Sequence, residues 1–192
     1  MSEPRHTGLS GRSAGRAALL LALLGSLAIG ALPRPPDDHN PSLPPRESEE
    51  LTLRAGHLFD AVVQGRPELA DDFFFPREPF LGLKDVRDPA RYHAELLSAY
   101  HRDIVALHAR RRSWEGATFR AFELGTPPRR VRPGEEWNKI GYYRTFRGKL
   151  TYDAPGRGRE PRTLRTLRTM EVHTVISWDG RWYATHLLPI RR

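Results

Sequence analysis

The hydrophobic pattern of this 192-residue chain changes its period at Trp114, and that change decides the class of fold. Before Trp114, apolar residues recur every three to four positions, as they do on one face of a helix. After Trp114, they alternate with polar residues over long stretches, as they do on one face of a strand. Helices followed by a run of strands predict an α+β domain, in which three N-terminal helices pack on a strongly bent antiparallel sheet.

Three helices are predicted from residues that start and stop them, at 48–65, 67–75 and 88–111. The hydroxyl of Ser48 and the carboxylate of Asp88 suit N-caps, and Gly65 suits the left-handed residue after a helix. Proline at the first turn begins the second helix, and Pro76 and Pro79 stop it. The three phenylalanines at 73–75 are interpreted as a core plug beneath the sheet.

Four strands are predicted, at 117–124, 138–152, 162–178 and 181–188, with a Pro/Arg/Gly loop at 126–136. Asp179-Gly180 joins the last two strands and favours a two-residue type I′ turn. In that turn Trp178 pairs with Arg181, which places His173 directly opposite His186.

Residues 58–65, LFDAVVQG, and the following stretch from Leu69 to Pro76 resemble the nuclear-transport-factor-2-like superfamily, which includes ketosteroid isomerase and scytalone dehydratase. Its members often have a helix that ends at glycine, then a short helix that ends in aromatic-x-Pro. The resemblance covers Glu49 to Pro189 and implies a cone-shaped α+β fold with a pocket on its concave face. The Asp/His or Tyr/Asp groups of its enzymes have no matching position here, so no catalytic residue is implied.

The N-terminal run from Ala17 to Leu32 is uncharged and follows three arginines. A positive stretch, an apolar stretch and small residues near Ala28 and Gly30 form the layout of a secretory signal peptide. An uncleaved membrane anchor is the alternative, and mass spectrometry of the mature N-terminus distinguishes the two. Both predict export across the cytoplasmic membrane, to a periplasmic, secreted or anchored location. The predicted organisation is signal peptide or anchor at 1–32, disordered proline-rich linker at 33–48, and one domain at 49–192.

Arginine dominates the net charge of +8, since the chain has only three lysines. Together with abundant alanine, glycine and proline, this composition is typical of a GC-rich genome. Arginine clusters lie at 110–112, 129–132 and 157–168. Nucleic-acid platforms usually combine such charge with stacking aromatic rings, so nucleic acid is not an expected partner. The lack of cysteine excludes both a lipoprotein anchor and disulfides.

Glu171, His173 and His186 are the candidate catalytic residues, because the predicted hairpin register places them on one face. Two imidazoles and a carboxylate can act as general acid and base, or bind zinc or iron. The competing interpretation is that this face is the solvated back of the sheet. No metal or cofactor is predicted. Four further residues are candidates for a ligand pocket: Trp182, Tyr142, Tyr100 and His101.

Three functions follow from these observations. The preferred one is a non-enzymatic exported domain that binds a small apolar or envelope ligand, or a protein partner. The second is a small acid–base enzyme of the isomerase, dehydratase or hydrolase type, using His173, His186 and Glu171, and it requires both histidines on the helix-covered face. The third is an electrostatic binder of anionic polymer or membrane surfaces through the arginine clusters.

Overall fold

The computed structural model describes residues 42–155 and 163–189. They form an α+β domain of three α-helices, one 3-10 helix and a five-stranded antiparallel sheet, which confirms the predicted fold class at this level. The helices are α1 (Glu49–Gln64), the 3-10 helix (Pro67–Ala70), α2 (Arg77–Leu83) and α3 (Pro89–Ala109). The strands are β1 (Thr118–Glu123), β2 (Arg129–Val131), β3 (Tyr142–Pro155), β4 (Arg165–Trp178) and β5 (Arg181–His186).

The predicted export segment at 17–32 lies outside the described residues. Among the helices that the structure does describe, none is both long enough and apolar enough to cross a membrane.

Helix α1 begins and ends at its predicted caps, and α3 begins at its predicted cap but ends at Ala109, two residues before its predicted end. The Ser48 hydroxyl accepts a hydrogen bond from the backbone N–H of Leu51 at 3.1 Å. The Asp88 carboxylate accepts one from the N–H of Arg91 at 2.9 Å. Gly65 follows α1 with φ of 67°, a left-handed conformation in which a side chain would be strained. Both long helices are therefore set by local chemistry.

The prediction of a second helix at 67–75 is wrong. Only Pro67–Ala70 is helical there, as a 3-10 helix, and α2 starts after Pro76. Pro79 lies in the first turn of α2, where its missing N–H would have had no partner within the helix. Pro79 is therefore part of a helix start and not a helix stop.

The sheet has the order β1-β3-β4-β5, and β2 also pairs with β3. Strands β3 and β4 pair from Pro155–Arg165 to Arg144–Ile176 without a register shift. The other edge of β3 is shared by β1 near its end and β2 near its start. Strand β2 was not predicted and lies in the predicted loop at 126–136. The prediction missed it because three residues are too few to show an alternating pattern.

The three phenylalanines at 73–75 are buried core residues, as predicted, with 0%, 3% and 0% of their surface exposed. Their backbone bonds to β5, because Ala184 donates to the carbonyl of Phe73 at 2.8 Å and accepts from Phe75 at 3.1 Å. Phe73 and Phe74 belong to the main core cluster, whereas Phe75 belongs to a second, smaller cluster. That second cluster consists of Phe75, Phe80, Leu83, Val131, Tyr142, Ile176 and Tyr183.

The end of the predicted linker packs on the domain. The indole N–H of Trp182 donates to the carbonyl of Pro45 at 2.9 Å, and Pro44 is buried. The Arg46 guanidinium donates to the carbonyl of Leu124 at 2.8 Å. From Ser42 onward, the segment predicted as linker therefore contacts β5 and the end of β1. The earlier linker residues lie outside the described part of the chain.

Candidate functional site

The β4–β5 hairpin has the predicted turn but not the predicted register throughout. Asp179 and Gly180 both have positive φ, 47° and 72°, as a type I′ turn requires. Pairing runs as predicted to Val175–Ala184, but the next pair is Thr174–His186, so Thr185 is an extra residue. The predicted pairing of His173 with His186 is therefore wrong, because a one-residue bulge changes every partner beyond it.

Both histidines nevertheless line the same cleft, of about 500 Å³. Its walls come from α2, α3, the segment before β3, and strands β3, β4 and β5. The lining side chains are Phe80, Lys84, Tyr92, Leu96, Glu135, Glu136, Trp137, Tyr142, Arg144, Phe146, His173, Thr174, Ile176, Thr185 and His186. The bulge thus leaves the two imidazoles in one cavity although they are not cross-strand partners.

Of the predicted catalytic residues, Glu171 does not line the cleft. Its carboxylate lies 3.6 Å from Nδ1 of His173, but it also pairs with the exposed guanidinium of Arg147 at 3.2 Å. It lines a different surface depression, together with Lys149. Two of the three predicted catalytic residues, His173 and His186, therefore line the cleft. The third, Glu171, lies outside it, next to His173.

Of the predicted pocket residues, Tyr142 lines the cleft and the other three do not. Trp182 is buried in the main core, and Tyr100 is buried there too, with its hydroxyl donating to the carbonyl of Ala70 at 3.2 Å. Burial raises the pKa of Tyr100 well above its ordinary value. His101 pairs with Asp71 at 2.6 Å and lines a shallow groove on α3. Helical periodicity identifies a face, but it does not identify which neighbouring element covers that face.

Lys84 is a cleft residue that sequence reasoning missed. It follows the last turn of α2, and its backbone forms a bridge with Asn138. Its ammonium donates to the carbonyl of Glu136 at 3.2 Å and lies 5.5 Å from the centre of the Tyr142 ring. Burial, together with the nearby charge of Arg144, lowers the pKa of Lys84 to about 8. The only sequence signal for this site is that lysine is rare in this arginine-rich chain.

Glu136 connects most of the polar groups of the cleft. Its carboxylate accepts a hydrogen bond from the hydroxyl of Tyr142 at 2.6 Å and forms an ion pair with Arg144. A second guanidinium, that of Arg129, lies 3.7 Å from the same carboxylate. Burial and the charge of Arg129 lower the pKa of Arg144, and burial raises that of Tyr142. The carboxylate of Glu136 thus contacts the guanidinium groups of Arg144 and Arg129 and the hydroxyl of Tyr142.

The loop before β3 is held by the buried side chain of Asn138. Its amide donates to the carbonyl of Ile140 at 2.7 Å and to that of Arg132 at 3.1 Å, and its oxygen accepts from the N–H of Glu136. These bonds fix the preceding Trp137 with φ of 50°, and leave 74% of its surface exposed. Trp137 therefore stands at the mouth of the cleft in a conformation that bulky residues rarely adopt.

His186 lies half-buried in the cleft, at the end of β5. Burial, the neighbouring His173 and the charge of Lys84 together lower the pKa of His186 below its ordinary value. Its Nδ1 lies 3.1 Å from the hydroxyl of Thr185. At neutral pH its imidazole is therefore neutral, the form that accepts a proton or a hydrogen bond.

The pH dependence of stability is expected to carry the contribution of His186. Below pH 6.5, His186 is protonated in the unfolded chain but less so in the folded protein, because folding lowers its pKa. Acidification therefore favours the unfolded chain. The urea midpoint of the wild type should therefore fall from pH 7.5 to 5.5 more steeply than that of a His186→Gln variant. Equal slopes for the two proteins would contradict this expectation. His101→Gln, at a partly exposed histidine outside the cleft, controls for the substitution itself.

The cleft combines apolar walls with a few polar groups, an arrangement suited to holding an amphipathic molecule. Within residues 42–155 and 163–189, no three His, Asp or Glu side chains converge to hold a metal ion. No protein-family model, curated protein or solved structure matches this chain.

Proposed function

We propose that this chain is an exported, non-enzymatic domain that binds a small ligand in the cleft between its helices and its sheet. The observation that carries the proposal is the cleft itself. Its volume of about 500 Å³ lies within the range of small-molecule sites. Aromatic and aliphatic side chains line most of it, while Lys84, Glu136 and Arg144 contribute charge that is partly withdrawn from water.

The proposal includes a cone-like sheet, with the cleft at its concave face. Strand β3 is long, and Arg147 within it has φ of 60°, a value foreign to an extended strand. Strand β2 pairs with β3 before this residue and β1 pairs with it afterwards. A change of neighbour at a left-handed residue supports a bend at that point. Helix α3 supplies Tyr92 and Leu96 to the opposite wall.

Binding of an uncharged fluorescent probe by the full chain tests the proposal. N-phenyl-1-naphthylamine should bind the wild type and lose about tenfold or more in affinity in a Leu96→Trp variant. Leu96 is half-buried and lines the cleft, so the larger indole occupies ligand space. Leu97→Trp is the matched control, because Leu97 is equally half-buried on α3 but lines a separate groove.

The comparison between the two variants isolates the cleft. The apolar residues at 17–32 offer the probe another surface, but they are the same in all three proteins. Equal affinity of the Leu96→Trp and Leu97→Trp variants would contradict ligand binding in this cleft, and a protein partner would then become the preferred hypothesis.

An acid–base enzyme is the second candidate, and one observation favours it. His173 and His186 lie in a cleft whose opposite wall is helical, as this hypothesis requires, and the imidazole of His186 is neutral at neutral pH. Glu171, however, is outside the cleft. Turnover of aryl ester and enone substrates, compared between the wild type and His186→Gln, tests this candidate; equal rates would remove it.

Arginines in two of the three predicted clusters have partners within the domain, whereas the third cluster, at 157–168, lies partly outside the described residues. Arg129 pairs with Glu135 at 3.1 Å, and the guanidinium of Arg130 lies 4.9 Å from the Tyr143 ring centre. Arg111 similarly stacks on Trp114 at 5.3 Å. These partners favour the cleft over the clusters as the site of function.

A further inference from the structure

We propose that the cleft is selective for an anion with a flat apolar body, the anionic group bound by Lys84 and the body covered by Trp137. This inference rests on the proposed function, and it names the class of ligand. It follows from how charge is distributed among the lining residues and from where the exposed indole stands.

Lys84 is the cleft cation left without a carboxylate. Among the described residues, no carboxylate oxygen lies within 4.0 Å of its ammonium, whose contacts are a backbone carbonyl and the Tyr142 ring. The two acids of the cleft are already engaged, Glu136 with Arg144 and Glu135 with Arg129. A partly buried ammonium with no counter-ion is a group that a ligand anion can satisfy.

The cationic groups around this position disfavour one another's charge. Burial is the first cause of the lowered pKa at each group, and charge adds to it: Arg144 lowers the pKa of Lys84, Arg129 that of Arg144, and His173 and Lys84 that of His186. Glu135 offsets part of this repulsion because its charge raises the pKa of Arg144, but the pKa values of Lys84, Arg144 and His186 all remain lowered. A bound anion would relieve it at several residues at once, which selects for negative charge in the ligand.

Trp137 supplies the second element of specificity. Its backbone is held on both sides, because its carbonyl accepts from the N–H of Asp85 at 2.7 Å and Asn138 anchors the next residue. A large apolar side chain held at positive φ with 74% of its surface exposed contributes little to folding. Its indole can instead cover the flat body of a ligand in the cleft, which Phe146 and Ile176 also line.

Two probes with the same aromatic skeleton test the charge selectivity in the full-length protein. 1-Anilinonaphthalene-8-sulfonate carries a sulfonate, whereas N-phenyl-1-naphthylamine carries none. The wild type should bind the sulfonate about tenfold more tightly than the neutral probe. Lys84→Met should remove that preference without weakening the neutral probe. Lys149→Met is the matched control, because Lys149 is exposed and lines another depression.

The outcomes separate this inference from the proposed function. If the neutral probe binds in the cleft and the sulfonate binds no better, the ligand class is wrong and the binding function stands. If Lys84→Met and Lys149→Met affect the sulfonate equally, the role of Lys84 is wrong. If neither probe distinguishes Leu96→Trp from Leu97→Trp, the binding function fails and this inference fails with it.

A Trp137→Gly variant tests the flat body, and it is compatible with folding because glycine accepts the positive φ at this position. The variant should keep the wild-type urea midpoint or exceed it, while displacement of the sulfonate probe by 1-naphthoate weakens about fivefold or more. Displacement by decanoate, which has a flexible body, should change less. Equal weakening for both competitors, or none for naphthoate, would overturn the role of Trp137.

Discussion

A Phe75→Ala variant is expected to lose about 3–5 kcal/mol of unfolding free energy, the largest effect of any single change proposed for this protein. Phe75 is fully buried at the centre of the second core cluster. Its ring packs on Phe80 at 6.0 Å and on Tyr183 at 5.5 Å between centroids. Alanine would leave a cavity. The backbone at 73–75 is hydrogen-bonded to β5, so it cannot move to fill that cavity.

Urea denaturation of the full chain measures this loss. Leu53→Ala is the control, because Leu53 is an apolar residue with 59% of its surface exposed, and it should change stability by less than about 0.5 kcal/mol. Since Phe80, Tyr142 and Ile176 belong to the same cluster and line the cleft, Phe75→Ala should also weaken probe binding. A stability loss equal to that of Leu53→Ala would contradict the core role of Phe75.

A Glu136→Gln variant is expected to lose about 2 kcal/mol of unfolding free energy and to bind the sulfonate probe more tightly than the wild type does. The amide cannot neutralise Arg144, which would keep a charge with only 19% of its side chain exposed. Removal of one partner of a fully buried pair costs about 3–5 kcal/mol, and partial exposure reduces that cost here. The freed positive charge should attract an anionic ligand, the opposite effect to that of Lys84→Met.

Glu135→Gln is the neighbouring control for the same chemical change. Glu135 is more exposed, and its ion pair with Arg129 at 3.1 Å lies at the surface, so its loss should destabilise the protein less than the loss of Glu136. Denaturation and probe titration of both variants provide the measurement. Equal stability losses for the two substitutions, or weaker sulfonate binding in Glu136→Gln, would contradict the central position of Glu136.

Predictions from the sequence succeeded where a structure is decided by neighbours along the chain. Ser48 and Gly65 bound α1, and Asp179-Gly180 forms the hairpin turn, because capping and positive φ are properties of the residues themselves. The burial of Phe73 and its neighbours followed from an apolar run beside a predicted sheet. The change of period at Trp114 correctly separated helices from strands.

Predictions failed where a single residue changes the register or where proline is compatible with two roles. No feature of the sequence indicates the bulge at Thr185. Because of this bulge, His186 pairs with Thr174 and not with His173. Pro79 is predicted to end a helix, but it lies in the first turn of α2. Since α2 carries Lys84 at its end, this error also hid the central cation of the cleft.

The sequence by itself determined the α+β class, the two long helices and the hairpin, because those depend on periodicity and local backbone preference. Only the tertiary structure decided the site. Lys84 lies 52 positions before Glu136, and it meets Glu136 and Arg144 because the end of α2 bridges to Asn138, next to the start of β3. Such meetings depend on long-range pairing and burial, which no local pattern of residues specifies.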